Sequence, residues 1–308
     1  MRAARAGSAE RVCDVGRGIR LAYEDLGEPD APLVLLVMGL GLDLCWWRDD
    51  FCADLVARGF RVVRFDNRDV GRSTHLSGPG VSALGFLRRR AAPTYTLGDM
   101  ADDAAGLVAA LDPAGAHVVG VSLGSFVAQE IAIRHPDLTR SLVSIMGRPG
   151  DGRTGKVSRR MIPEFLRRGP SDPAGAVEHL VRSFHRIGSR GRTEEDDEDV
   201  RVVMRRSMAR EEGDGTGSGR QLAAILAERD RTADLGRLTM PALVVHGLHD
   251  RVVLPSGGRA TAAAIGGAEL LELPDMGHDL ARWTWPAVLD GIERTARRAA
   301  RGVSRACP

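Results

Sequence analysis

Apolar positions along this chain switch repeatedly between the period of a strand and that of a helix. Ile19-Arg20-Leu21-Ala22-Tyr23 alternates as a half-buried strand does, and after the punctuating Glu28-Pro29-Asp30-Ala31-Pro32 every position from Leu33 to Met38 is apolar. A strand with no polar face implies a sheet covered on both sides. Asp49 to Arg58 then carries helical spacing and stops at Gly59, and Arg61 to Phe65 reads as the next strand. Leu97 to Leu111 reads as a helix, His117 to Ser122 as a strand, Phe126 to Ile133 as a helix and Ser141 to Met146 as a strand. Such alternation predicts an α/β fold, a mostly parallel central sheet flanked by helices.

The pattern changes after Gly147. No strand-like run follows until Ala242-Leu243-Val244-Val245-His246, and the intervening residues carry charged helical segments. They include the acidic run Glu194 to Asp199, read as a solvated face or a helix entry, and the stretch Gly213 to Gly219, read as flexible. Residues 148–235 are therefore expected to form a helical insertion in a core made of residues 1–147 and 236–308. Glu269 to Leu273 gives the last strand, and Trp285 to Ala299 a basic terminal helix.

Bulk properties narrow the function classes. The 308 residues, 43% of them hydrophobic, suffice for a large core, and a formal net charge of +2 gives no electrostatic case for nucleic acid or an anionic membrane surface. Cys13, Cys45, Cys52 and Cys307 lack metal-ligand spacing; Cys45 and Cys52 fall in one expected helix, and buried free thiols are expected. Met1 to Ser8 is basic but lacks a following apolar region, so it does not read as a signal peptide, and the apolar run Leu33 to Leu42 is too short to span a bilayer. The expected location is cytoplasmic.

Candidate chemistry centres on Gly120-Val121-Ser122-Leu123-Gly124, a serine between two glycines at a strand-to-helix junction. A turn that tight admits only small residues at 120 and 124 and lifts the hydroxyl clear of the sheet. A serine hydroxyl is a poor nucleophile unless an imidazole takes its proton and a carboxylate holds that imidazole in the right tautomer. His278, in the loop Asp275-Met276-Gly277-His278-Asp279, is the one histidine that follows every other element considered, just past the last strand. Asp250, beyond the apolar run ending at His246, is the expected acid, and Asp151, after the strand ending at Met146, is the runner-up. Backbone N–H groups of Leu123 and of Leu40, the latter in Gly39-Leu40-Gly41, are the expected oxyanion donors. His246, His249, Asp250, His278 and Asp279 match no zinc pattern, so neither a metal nor an organic cofactor is expected. The pairs Trp46-Trp47 and Trp283, Trp285 suit either a pocket wall or core packing.

With these residues in place, the chain resembles the α/β-hydrolase superfamily over about residues 15–147 and 236–300. The motifs are Val37-Met38-Gly39-Leu40-Gly41, Phe65 to Ser73, the serine turn, Gly247-Leu248-His249-Asp250 and Met276-Gly277-His278. Within the superfamily it is most similar to the bacterial esterase group that includes aclacinomycin methylesterase. The resemblance implies that the helical insertion is a cap over the active site and that Leu40 occupies the family's oxyanion position. Met38 replaces the histidine of the commoner His-Gly loop, and Ser125 stands where the family often has a second glycine. Serine at 122, where epoxide hydrolases and haloalkane dehalogenases carry aspartate, points away from both.

The expected activity is hydrolysis of a carboxylic ester through an acyl-enzyme on Ser122, with a bulky, largely apolar ester or lactone such as a polyketide methyl ester as the partner molecule. The same triad also supports thioesterase, cyclisation, lyase or decarboxylation chemistry in natural-product biosynthesis, and a non-catalytic ligand-binding relative is a third class. Product analysis separates the first two. Loss of a triad member would mark the third.

Overall fold

The computed structural model describes residues 9–81, 92–161, 163, 170 and 172–306. Eight strands form one sheet: β1 (Arg11–Asp14), β2 (Arg20–Leu26), β3 (Leu33–Val37), β4 (Arg61–Phe65), β5 (Ala116–Val121), β6 (Thr139–Ile145), β7 (Ala242–Gly247) and β8 (Glu269–Leu273). Their spatial order is β1-β2-β4-β3-β5-β6-β7-β8. The pairs β1–β2 and β2–β4 are antiparallel and every other pair is parallel.

The all-apolar β3 is buried at every position. Because side chains alternate across a strand, Leu33, Leu35 and Val37 face one core and Val34 and Leu36 the other. The first core is covered by α2 (Leu97–Leu111) and α3 (Leu123–Arg134), and the second by α1 (Asp49–Ala57). A long C-terminal helix, Trp285–Ala306, completes the second layer.

Between β6 and β7 lie α4 (Pro173–Ile187), α5 (Glu194–Arg210), α6 (Gly217–Leu226) and the short α7 (Thr232–Leu235). The acidic run opens α5, where Thr193 and Asp196 form a reciprocal capping box and carboxylates occupy the positive end of the helix dipole. Buried ion pairs seat these helices on the sheet layer. Arg210 reaches Asp43 at 2.6 Å and Asp66 at 3.0 Å, and Arg220 reaches Asp69 at 2.8 Å. Beyond β7 come α8 (Ser256–Ala264) and α9 (Trp285–Ala306). Among the described residues no helix is long and apolar enough to cross a membrane.

Four readings from sequence need correction. The edge strand β1 was not foreseen: Val12 is about half exposed and no apolar alternation marks the segment, which is held by pairing with β2. Cys45 lies in a 3-10 turn over Leu44–Trp46 and only Cys52 in α1, so they do not share a helix. Cys45 and Cys52 are free and buried, but Cys13 is only partly buried on the edge strand; Cys307 lies outside the described residues. Finally, Gly217 to Gly219 are not flexible linker but the first turn of α6. A Cβ at Gly217 would lie 2.0 Å from the Asp69 carbonyl oxygen, so the glycine lets the helix approach the sheet layer.

Candidate active site

Ser122 sits between β5 and α3 with φ 55° and ψ −119°, a conformation that L-residues rarely adopt. Such strain costs on the order of 1–3 kcal/mol and persists only where surrounding structure over-determines it. Here it is over-determined by close packing. A Cβ at Gly120 would lie 2.0 Å from the Gly124 carbonyl oxygen, and one at Gly124 2.0 Å from that of Val37. Ser122 N donates to Ile145 O at 2.9 Å, and the buried Ser125 hydroxyl donates to Ser122 O at 2.6 Å. Ser125 thus adds a strut to the turn.

The three residues expected to act together are brought together. His278 Nε2 lies 2.9 Å from Ser122 Oγ, and His278 Nδ1–H donates to Asp250 Oδ2 at 2.8 Å. Asp250 is fully buried, and its other oxygen accepts the backbone N–H groups of Val252 and Val253 at 2.8 and 2.9 Å. An acceptor-only carboxylate at Nδ1 fixes the tautomer, which leaves Nε2 free to accept the serine proton. The runner-up Asp151 is held in its own turn by the amides of Arg153 and Thr154.

Two neighbours of this chain of hydrogen bonds were not assigned from sequence. His246, at the end of β7, donates Nε2–H to Val253 O at 2.8 Å and passes 3.5 Å from Asp250 Oδ2, bracing the acid's loop. Burial holds its pKa below the usual histidine range. Asp279, next to His278, accepts the Ser189 amide at 2.8 Å and Arg192 Nη1 at 2.8 Å, while the His278 amide donates to Ile187 O at 2.7 Å. The histidine loop is therefore fastened to the segment just after α4. A local sequence pattern gives no signal for contacts between segments about ninety residues apart.

The Leu40 N–H follows β3 and the Leu123 N–H opens α3; among the described residues neither has a hydrogen-bond partner. A Cβ at Gly39 would lie 3.5 Å from Ser122 Cβ, which places the two segments side by side. Backbone N–H donors beside a nucleophilic oxygen are the kind of group that stabilises a developing oxyanion.

A cavity of about 290 Å³ opens onto Ser122 and His278. Its walls are mostly apolar: Met38, Leu42, Trp46, Val121, Met146 and Trp285 from the sheet layer, with Leu180, Phe184, Ile187, Val200 and Val203 from α4 and α5. Trp46 and Phe184 stack at 5.8 Å across the two. Trp46 and Trp285 thus line the cavity, whereas Trp47 is buried in the core and Trp283 is largely exposed. The charged wall residues pair with one another, Arg48 with Asp199 at 2.6 Å and Arg282 with Asp199 at 2.7 Å. Among the described residues no three His, Cys, Asp or Glu side chains form a metal-holding group.

Comparison with known proteins bears on the family and the fold. The sequence model for the alpha/beta hydrolase fold matches residues 32–281. Rhodomycin D methylesterase DauP of Streptomyces sp. (strain C5) is 29% identical over 286 residues, covering 85% of this chain and 90% of that protein. Rhodomycin D methylesterase DnrP of Streptomyces peucetius is 28% identical over 284 residues, covering 85% and 90%. Among solved structures, the enol-lactonase from Burkholderia xenovorans LB400 superposes with a TM-score of 0.68 at 23% identity, covering 94% of this chain and 100% of that one, a likeness of fold.

Proposed function

The chain belongs to the α/β-hydrolase fold family and is an ester hydrolase of that fold, and we propose that it cleaves its substrate by acyl transfer to Ser122. His278 Nε2 takes the Ser122 proton as Oγ attacks the ester carbonyl, and Asp250 holds the imidazole and balances the charge it gains. The N–H groups of Leu40 and Leu123 hold the oxyanion. Collapse of the tetrahedral intermediate breaks the bond to the alcohol oxygen, which takes the proton from His278 and leaves. Water, deprotonated by the same imidazole, then attacks the acyl-enzyme and frees Ser122. The observation that carries this reading is the continuous chain from Ser122 Oγ through His278 to Asp250, at 2.9 and 2.8 Å.

The substrate is a small-molecule carboxylic ester or lactone with a bulky, largely apolar body, of which a polyketide methyl ester is the model. An apolar cavity of about 290 Å³ holds far more than an acetyl group and supports this choice. So do the relatives named rhodomycin D methylesterases. Residues 148–235 act as the cap, because α4 and α5 supply one wall of that cavity. Remote contacts there can be used to stabilise the transition state.

A panel of esters and lactones graded in acyl and alcohol size, assayed in isotopically labelled water with mass analysis of products, tests the proposal. Hydrolysis predicts one labelled oxygen in the acid product and higher kcat/KM for bulky esters than for acetates. A product without added water would replace it with the cyclase or lyase reading, and a preference for acetates would remove the size argument.

A further inference from the structure

The Leu40 N–H belongs to the Gly39–Leu40 peptide, in a loop with no regular secondary structure to hold it. That loop closes a turn in which Leu42 N donates to Gly39 O at 3.3 Å and Gly41 takes φ +66°. The direction of the Leu40 N–H is set by the torsions that join its peptide to the ones on either side, Met38–Gly39 and Leu40–Gly41, so rotation of either neighbour can re-aim it. Two buried side chains oppose that rotation from opposite sides. Asn67 Nδ2 donates to Met38 O at 3.1 Å, fixing the peptide that precedes the donor. Gln221 Oε1 accepts the Gly41 N–H at 2.8 Å, fixing the peptide that follows. The donor peptide lies between these two clamped ones, with its own carbonyl, Gly39 O, taken up by Leu42 N.

We infer that Asn67 and Gln221 are positioning residues for the oxyanion donor at Leu40, with Gln221 making that donor dependent on the seating of a helix from the insertion. The inference rests on the reading of Leu40 as an oxyanion donor. Gln221 is fully buried and uses both ends of its amide, since Nε2 donates to Arg68 O at 2.9 Å. Its orientation is therefore fixed by the chain segment that carries Asn67. The preceding residue, Arg220, anchors α6 by a bidentate pair with Asp69 at 2.8 and 2.9 Å. A Cβ at Gly41 would meet Ser218 Cβ at 3.0 Å, so α6 lies directly on the loop. The insertion thereby supplies part of the catalytic frame as well as a cavity wall, and a Leu40 amide aimed at the oxyanion requires α6 to be in place.

The test uses the full chain, p-nitrophenyl butyrate as ester and an alkyl trifluoromethyl ketone, which Ser122 converts to a tetrahedral oxyanion. Gln221→Met removes both hydrogen bonds at similar volume. It is expected to lower kcat by about 10- to 100-fold with KM within about threefold of the parent, and to weaken the ketone by the same factor as kcat/KM. Gln221→Glu keeps an acceptor for Gly41 and is expected to recover part of the loss, which a packing defect alone would not predict. If Gln221→Met lacks a cooperative unfolding transition, Asn67→Asp, which sets a carboxylate oxygen against Met38 O, carries the same expectation. Parent-like kcat and ketone affinity in the folded variants, or collapse of the fold in both Gln221→Met and Asn67→Asp, would overturn the inference. If the parent protein hydrolyses no ester and is not inhibited by the ketone, the functional reading fails instead.

Discussion

Ser122 Oγ and His278 Nε2 lie 2.9 Å apart although 156 residues separate them in the chain. The sheet makes the meeting possible, because β5, β7 and β8 run parallel to one another in register and their following loops emerge at one edge. In open α/β sheets that edge is where sites are built.

The acid is the first point to probe. Asp250→Asn leaves the shape intact but removes the acceptor that sets the His278 tautomer, so kcat is expected to fall by roughly 10³–10⁴-fold with little change in KM. Asp151→Asn, in a turn closed by its own neighbours, is expected to stay within about threefold of the parent. Steady-state kinetics on one ester decides between them, and the reverse ranking would move the acid to the loop after β6.

The residues of this site were legible where chemistry follows a strand. Ser122, Asp250 and His278 each lie just beyond a strand, and Gly120 and Gly124 flank the serine because backbone approaches on both sides leave no room for a Cβ. What was not legible depends on partners distant in sequence. Gln221 looks like any polar helix residue until its partners Gly41 and Arg68 are known, and the glycines at the start of α6 resemble a linker until Asp69 is set against them. The strand β1 escaped notice because an edge strand kept by backbone pairing needs no apolar alternation.

The glycine turn gives a stability prediction. Gly124→Ala would place a methyl 2.0 Å from the Val37 carbonyl oxygen, which is backbone of the central sheet and cannot step aside cheaply. Destabilisation of about 2 kcal/mol or more is expected, with loss of activity beyond the fraction unfolded. Chemical denaturation and kcat on the folded fraction measure both. A parent-like variant would show that the turn tolerates a side chain.

A buried histidine beneath the same strand gives a pH prediction. His117, on β5, hydrogen-bonds Ser141 through Nδ1 at 2.9 Å, and burial, aided by Arg140, pushes its pKa down to about 4. Its folded pKa lies below the unfolded value near 6.5, so the folded state binds this proton less readily. The stability it contributes is complete above pH ~6.5 and is lost as pH falls towards ~4, on the order of 3 kcal/mol in total. Unfolding free energies of the parent and His117→Gln across this range are expected to differ in slope, the variant being flatter. Parallel curves would mean that His117 titrates normally in the folded chain.

The nucleophile itself is open to one direct measurement. Treatment with an alkyl fluorophosphonate followed by peptide mass analysis should find a single adduct, on Ser122, because among the described residues only this serine is paired with the Asp250-held imidazole. Labelling should vanish in Ser122→Ala. Undiminished labelling and ester hydrolysis in Ser122→Ala would contradict the account.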